Sequence, residues 1–154
     1  MTQPNQMTVR LKLNGQDQEI EVNPFDLLID VLRDRLNLKG TKRSCDVEVC
    51  GTCTVLRDGL PISSCTTLAV DVDGTSLLTI EGVAQEGLSR VQQAFIHHGA
   101  LQCGYCTPGM VLAATALLEA EPHPSETQIR HYLRGNICRC TGYVKIIEAV
   151  KSLA

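Results

Sequence analysis

The stretch GTKRSCDVEVCGTC, residues 40–53, places three cysteines within one short glycine-bearing loop. Their order is Cys-x4-Cys-x2-Cys, and Cys65 follows beyond the next predicted hairpin. One class of [2Fe–2S] site uses this spacing, because a short loop can wrap two irons with three thiolates while a later hairpin supplies the fourth. The pattern therefore predicts a [2Fe–2S] cluster, with zinc as the alternative. The predicted ligands are Cys45, Cys50, Cys53 and Cys65.

A second set of cysteines lies in the C-terminal half and forms a C-x2-C pair and a C-x-C pair. Structural zinc sites usually use C-x2–4-C pairs, so the C-x-C pair fits zinc poorly. Each pair precedes a predicted helix, and the free N–H groups at a helix N-terminus stabilise thiolates. The spacing favours a second iron–sulfur cluster and leaves zinc open. The predicted ligands are Cys103, Cys106, Cys138 and Cys140.

The chain as a whole favours metal ligation over disulfides for its eight cysteines. The N-terminal segment, MTQPNQMTVRLKLNG, has no apolar core and no twin arginine, so no export signal is visible. The chain also has no run of about 20 apolar residues that would cross a membrane. We therefore expect a cytoplasmic protein, in a compartment where disulfides are rare.

Composition excludes several other function classes. The net charge is -3, and no Lys/Arg cluster is large enough to predict a nucleic-acid surface. No Ser/His/Asp constellation or phosphate-binding loop is present, so we expect no catalytic residue on this chain. The aromatic share is only 3%, so we expect metal ligation to help hold the fold together.

The hydrophobic pattern predicts a β-rich N-terminal half. Residues 7–13 alternate between apolar and polar, and Asn14-Gly15 predicts a type I′ turn into a return strand. Asn23 is predicted to cap a helix that has Pro24 at its first position and then runs through residues 26–36. A second hairpin turning at residues 58–59 and a strand over 76–80 complete this half.

After Ile80 the strand pattern ends, and residues 81–87 are predicted to form a linker. Gly99 is predicted to end the first of four helices, and Ser125 to cap the third. The four predicted helices span residues 89–99, 108–120, 125–135 and 143–153.

Four motifs together resemble the iron–sulfur subunit of the molybdenum hydroxylases, the family of xanthine oxidase, aldehyde oxidase and aerobic carbon monoxide dehydrogenase. They are GTKRSCDVEVCGTCTVLRDG, the pair Ser64-Cys65, LQCGYCTPGM and GNICRCTGY. The resemblance covers nearly the whole chain. It implies an α+β protein in which a β-grasp, plant-type ferredoxin domain (residues 1–81) precedes an all-α, four-helix-bundle [2Fe–2S] domain (residues 82–154).

The resemblance also implies a function. In this family the helical cluster lies next to the molybdopterin and the ferredoxin-type cluster nearer FAD, so the chain would relay electrons singly from one to the other. Gln102 would hydrogen-bond the pterin, and Cys140 would be the ligand closest to it. The implied partners are a large molybdopterin-binding subunit and a medium FAD-binding subunit, in a heterotrimer or its dimer. A free-standing ferredoxin-type carrier is the alternative.

The sequence departs from the family's common pattern in the first cysteine loop. Ser44 and Glu48 stand where glycine is common, and Thr52 stands where alanine is common. If position 48 requires a positive φ, glutamate there costs on the order of 1 kcal/mol. These departures affect the loop shape and the cluster potential rather than the ligands.

Overall fold

The computed structural model describes residues 6–85 and 87–154. Residues 1–5 lie outside it; they belong to the predicted first domain and to the segment searched for an export signal. Residue 86, in the predicted linker, also lies outside it. Strands β1 (Met7–Leu13) and β2 (Gln16–Val22) pair antiparallel along their full length. Asn14 and Gly15 both have positive φ, at 50° and 83°, as a type I′ turn requires. The first predicted hairpin is therefore confirmed.

A five-stranded mixed sheet organises the N-terminal half. Strands β3 (Thr54–Arg57), β4 (Leu60–Ser63) and β5 (Ser76–Leu78) join the hairpin in the order β2-β1-β5-β3-β4. The pairing of β1 with β5 is parallel, and the other pairings are antiparallel. The second predicted hairpin is confirmed, and the sheet carries it at the edge opposite β2. The loop 44–53 enters β3 directly, so the sheet anchors the C-terminal end of that loop.

The first helix begins later than the sequence predicts. Helix α1 (Leu28–Asp30) continues as a π-helical turn (Val31–Arg35), and Leu27, not Asn23, stands at its N-terminus. The backbone N–H of Asn23 instead donates to the Asp26 carboxylate at 2.8 Å, and Asp26 N–H donates back to Asn23 O at 3.0 Å. This local turn satisfies the polar groups that a cap would have used. The predicted cap is therefore wrong.

Helix α1 and its π-helical continuation pack on one face of the sheet. Alternate β1 residues Val9, Leu11 and Leu13 point into this core, where they meet Leu28 and Leu32. The alternation that predicted the strand thus follows from one buried face.

The end of the β-rich half also differs from the prediction. Strand β5 ends at Leu78, and Thr79 begins a short helix α2 (Ile80–Val83). The predicted strand to residue 80 is too long, and the predicted linker begins inside a helix. The Asn14 side chain accepts from Thr79 N–H at 2.8 Å, so the first hairpin turn holds the chain at this point.

Four further helices build the C-terminal half: α3 (Arg90–His97), α4 (Thr107–Ala120), α5 (Glu126–Tyr132) and α6 (Val144–Lys151). Ser89 and Ser125 begin α3 and α5 with complete capping boxes, and Gly99 follows α3 with a φ of 60°. A 3₁₀ turn, Leu133–Gly135, extends α5 towards the second cysteine pair. The four predicted helices are confirmed, each with ends within a few residues of the prediction.

Helix α4 is the central element and joins the two halves. It contacts α3 and α5 on one side and β3 on the other. Leu56 of β3 is buried together with Leu112 and Ala116 of α4. This contact fixes the first cysteine loop, which precedes β3, relative to the second, which precedes α4. Across residues 6–85 and 87–154, the structure has no helix of the length and apolarity needed to cross a bilayer.

Candidate iron–sulfur sites

The four cysteines of the N-terminal half come together at one end of the sheet. Cys45 and Cys50 lie on the irregular loop 44–53, and their thiols are close neighbours. Cys53 and Cys65 are buried beside Ile29, and their sulfurs also contact each other. The thiols therefore lie as two neighbouring pairs. The structure brings together all four residues that the spacing selected.

The backbone of this loop turns its N–H groups towards sulfur. Asp46 and Glu48 each have a φ of 57°, and Gly51 has a φ of 65°. Alternation of left- and right-handed residues forms a concave nest that binds anions. N–H groups of Val47 and Val49 point at the Cys45 sulfur, with a distance of 3.4 Å from Val49. These N–H groups, that of Val47 first, lower the pKa of the Cys45 thiol to about 6.

Burial acts in the opposite direction on the fourth thiol of this group. It raises the pKa of Cys65 to about 11, although the backbone N–H of Glu48 points at its sulfur and favours the thiolate. A buried thiolate needs a compensating positive charge. Coordination to a cationic metal core would supply that charge, and the thiol proton would be lost to solvent.

The four cysteines of the C-terminal half form a second group. Cys106 stands at the N-terminus of α4, and Cys138 is buried beside it. The Sγ atoms of Cys103 and Cys140 lie 3.6 Å apart on the exposed side. Burial, followed by the neighbouring Cys138 sulfur, raises the pKa of Cys106 to about 12. As in the first group, the four thiols form two neighbouring pairs.

Two residues that the sequence did not single out shape the C-x-C loop. Thr141 donates to the Cys138 sulfur through its hydroxyl at 3.1 Å and its N–H at 3.4 Å. Burial opposes ionisation of Cys138, but these hydrogen bonds outweigh it and the pKa is lowered. Tyr143 has a φ of 68°, and its hydroxyl accepts from Cys138 N–H at 3.0 Å. The Tyr143 hydroxyl therefore holds the C-x-C loop at Cys138.

The arrangement of the thiols fits a two-metal cluster better than a single ion. Four tetrahedral thiolates on one zinc would converge on one point. In each group, however, the thiols lie as two neighbouring pairs, as two metals with two thiolates each would require. The 3.6 Å between the Cys103 and Cys140 sulfurs is close to the edge of a tetrahedron with metal–sulfur bonds of about 2.3 Å, which is about 3.8 Å. All eight cysteines are free thiols, which agrees with the preference for metal ligation over disulfides.

Hydrogen bonds join the two cysteine loops directly. Ile137 N–H, next to Cys138, donates to the carbonyl of Cys50 at 2.8 Å. The Tyr105 hydroxyl, between Cys103 and Cys106, donates to the Arg43 carbonyl at 2.5 Å. We call this contact between the loop 43–54 and the segments 103–109 and 135–138 the ligand-loop seam. It holds the two groups of thiols in one fixed relation.

The buried Asn136 side chain occupies the centre of the ligand-loop seam. Its Nδ2 donates to the carbonyl of Gly51 at 2.9 Å and approaches Thr54 Oγ1 at 3.2 Å. The approach requires glycine on both sides. A Cβ on Gly51 would lie 2.4 Å from Gly135 O, and a Cβ on Gly109 would lie 2.4 Å from Gly51 O. The sequence could not reveal this contact, because it joins residues about 85 positions apart.

Gln102 lies on the exposed side of the second group, directly before the exposed Cys103. Cys140 is exposed at the same place, since its sulfur is in contact with that of Cys103. The residues expected to face the pterin are therefore accessible together.

Comparison with known proteins matches each half of the chain to an iron–sulfur domain. Residues 11–76 match the 2Fe-2S iron-sulfur cluster binding domain, and residues 79–151 match the [2Fe-2S] binding domain. The small FeS subunit of nicotinate dehydrogenase from Eubacterium barkeri is 45% identical over 148 residues, covering 96% of this chain and 94% of the relative. The chain belongs to the small iron–sulfur subunits of the molybdenum hydroxylase family.

Two solved structures share nearly the whole fold of this chain. A chain of quinoline 2-oxidoreductase from Pseudomonas putida 86 matches with a TM-score of 0.92 and 44% identity, over 96% of this chain and 91% of that one. Aldehyde oxidoreductase from Desulfovibrio gigas matches with a TM-score of 0.91 and 40% identity, over 94% of this chain but 16% of that one. The same fold thus occurs as a chain of similar length and as a small part of a much longer chain.

Proposed function

We propose that this small iron–sulfur subunit relays electrons singly from a molybdopterin centre to FAD, both on partner subunits. Bound [2Fe–2S] clusters supply the one-electron redox chemistry. The chain itself contributes no catalytic residue. Its residues hold the clusters, orient them towards each other and keep one side of the second site exposed for a partner.

The ligand assignment follows the two groups of thiols. We assign Cys103, Cys106, Cys138 and Cys140 to the molybdenum-proximal cluster, and Cys45, Cys50, Cys53 and Cys65 to the flavin-proximal cluster. The two-and-two pairing within each group supports this assignment. The shared exposure of Gln102, Cys103 and Cys140 supports Gln102 and Cys140 as the residues nearest the pterin.

The observation that carries the relay is the hydrogen bond from Ile137 N–H to the Cys50 carbonyl. Ile137 is bonded to Cys138, and Cys50 belongs to the other group. Two cysteines from different sites are thus connected by a short run of covalent bonds and one hydrogen bond of 2.8 Å. A subunit that stored electrons in independent sites would not need its cysteine loops in contact. A relay does, because electron transfer depends steeply on separation.

The finer architecture is part of the same proposal. We assign residues 1–81 to a β-grasp, plant-type ferredoxin domain and residues 82–154 to a four-helix-bundle domain of α3–α6. The sheet packed on α1 and the mutual contacts of α3–α6 support these assignments. By the same reasoning the subunit works in a cytoplasmic heterotrimer, or its dimer, with a large molybdopterin-binding and a medium FAD-binding subunit.

Purification of the tagged full-length chain from its native host tests the partner claim. The proposal predicts that molybdenum and flavin co-elute with the chain in constant proportion, in a species larger than 16.8 kDa. A free-standing ferredoxin-type carrier would instead elute alone, still brown but without molybdenum or flavin. That result would overturn the relay and leave the two clusters standing.

A further inference from the structure

Glu48 has an unusual backbone conformation for its residue type. Among the described residues, the non-glycine residues with positive φ are Asn14, Asn37, Asp46, Asp58, Glu48 and Tyr143. Asn and Asp tolerate this region because their short side chains bond locally, but glutamate does not share that advantage. Tyr143 uses the conformation to contact Cys138. An outlier of this kind at a binding loop points to a role for the side chain.

Two contacts explain what the conformation of Glu48 achieves. Its backbone N–H lies near the Cys65 sulfur and favours the thiolate form. Its carboxylate Oε2 accepts a hydrogen bond from the Thr66 hydroxyl at 3.1 Å. Both contacts run from the loop that carries Cys45 and Cys50 to the segment that carries the fourth thiol. One residue therefore joins the two parts of the first site.

The charge of the Glu48 carboxylate is not neutralised by a salt bridge within the described residues. Arg43, the nearest arginine along the chain, is engaged with Asp30 and with Asp46, the latter at 3.0 Å. The carboxylate thus adds a negative charge beside four thiolates. A negative charge near an iron–sulfur site disfavours the addition of an electron.

We propose that Glu48 positions the first cluster site and lowers its reduction potential: its backbone and carboxylate hold the loop against Cys65 and Thr66, and its charge opposes reduction. The proposal rests on the proposed function, since it requires a cluster at that site. Solvent around the exposed carboxylate weakens the effect of the charge without reversing its sign.

Three variants of the full-length, cluster-loaded chain separate charge from positioning. Glu48→Gln keeps a hydrogen-bond acceptor and removes the charge, so we expect a higher midpoint potential at the first site only. Thr66→Val keeps the charge and removes the hydrogen bond to Glu48, together with a longer one to the Ser63 carbonyl at 3.3 Å, so we expect a smaller change in potential but faster loss of the first cluster to a chelator. Glu48→Gly removes both side-chain effects and relieves the strained φ, so we expect a higher potential together with faster cluster loss.

The matched control is Asp17→Asn, because Asp17 lies on β2, at the edge of the sheet opposite β3 and β4. It makes the same change in charge, and we expect both potentials to stay at their wild-type values. The readout is a redox titration followed by EPR, in which each cluster is monitored by its own signal. An unchanged first-site potential in Glu48→Gln, or an equal shift at both sites, would overturn the role of Glu48. A wild-type chain without two signals would overturn the proposed function instead.

Discussion

Replacing Gly109 by alanine should force the two cysteine loops apart. Gly109 lies in α4, where alanine normally stabilises a helix by about 1 kcal/mol. Here the new methyl group would lie 2.4 Å from the Gly51 carbonyl oxygen, about 1 Å closer than non-bonded atoms normally approach. Overpacking of this kind costs about 1–3 kcal/mol. Displacing Gly51 also breaks its hydrogen bond from the buried Asn136, which costs about 1–3 kcal/mol more.

The destabilising effects therefore outweigh the helix propensity. We expect the free energy of unfolding to fall by about 3 kcal/mol, which lowers the midpoint of thermal unfolding by roughly 6–12 °C for a chain of this size. The assay is thermal unfolding of the cluster-loaded chain, followed by circular dichroism. EPR of the reduced protein reports the magnetic interaction between the two clusters, and we expect the variant to weaken it.

Gly135→Ala is the matched control for Gly109→Ala. Gly135 lies in the same seam, yet a Cβ there would meet no atom within 4 Å. We expect this variant to keep the wild-type midpoint and the wild-type EPR spectrum. If Gly109→Ala also matched the wild type in both measurements, the close approach of Gly109 to Gly51 would not be what holds the two loops together.

Three further predictions test other parts of the structure. Cys138→Ser should abolish the EPR signal of the second cluster, retain that of the first and stop turnover with a flavin-side acceptor; retained turnover would contradict the relay. Tyr105→Phe removes the hydrogen bond to the Arg43 carbonyl and should lower the free energy of unfolding by about 0.5–1.5 kcal/mol in denaturant titrations, whereas an unchanged value would show that this bond contributes nothing. Removing the clusters with a chelator should free the loop 44–53 and speed tryptic cleavage after Arg43, while equal rates before and after would show that the loop does not depend on metal.

Local signals predicted most of the elements correctly. The Asn14-Gly15 turn, the capping boxes at Ser89 and Ser125, and Gly99 after α3 are each determined by a few neighbouring residues. The cap at Asn23 was wrong for the same reason, because a competing local partner, Asp26, lies three residues away. A helix cap and a local turn both use the polar groups of Asn23, and the sequence pattern does not show which of the two forms.

Contacts between distant residues could not be predicted in this way. Cysteine spacing selected all eight thiols, because a cluster imposes a spacing on the chain. It did not select Asn136, Gly109 or Tyr105, whose roles depend on the packing of α4 against β3. Glu48 has a positive φ, which the sequence comparison had raised as a condition for backbone strain. Its contact with Thr66 could not be predicted, because it joins residues 18 positions apart.

The relay requires one chain to hold two different [2Fe–2S] clusters close enough to exchange electrons. Low-temperature EPR of the full-length protein, reduced anaerobically with dithionite, measures both clusters at once. We expect two distinguishable signals, each integrating to about one spin per chain, with a magnetic interaction between them that depends on the ligand-loop seam. A fully loaded protein that shows one signal or none, or a colourless zinc-containing protein, would contradict it.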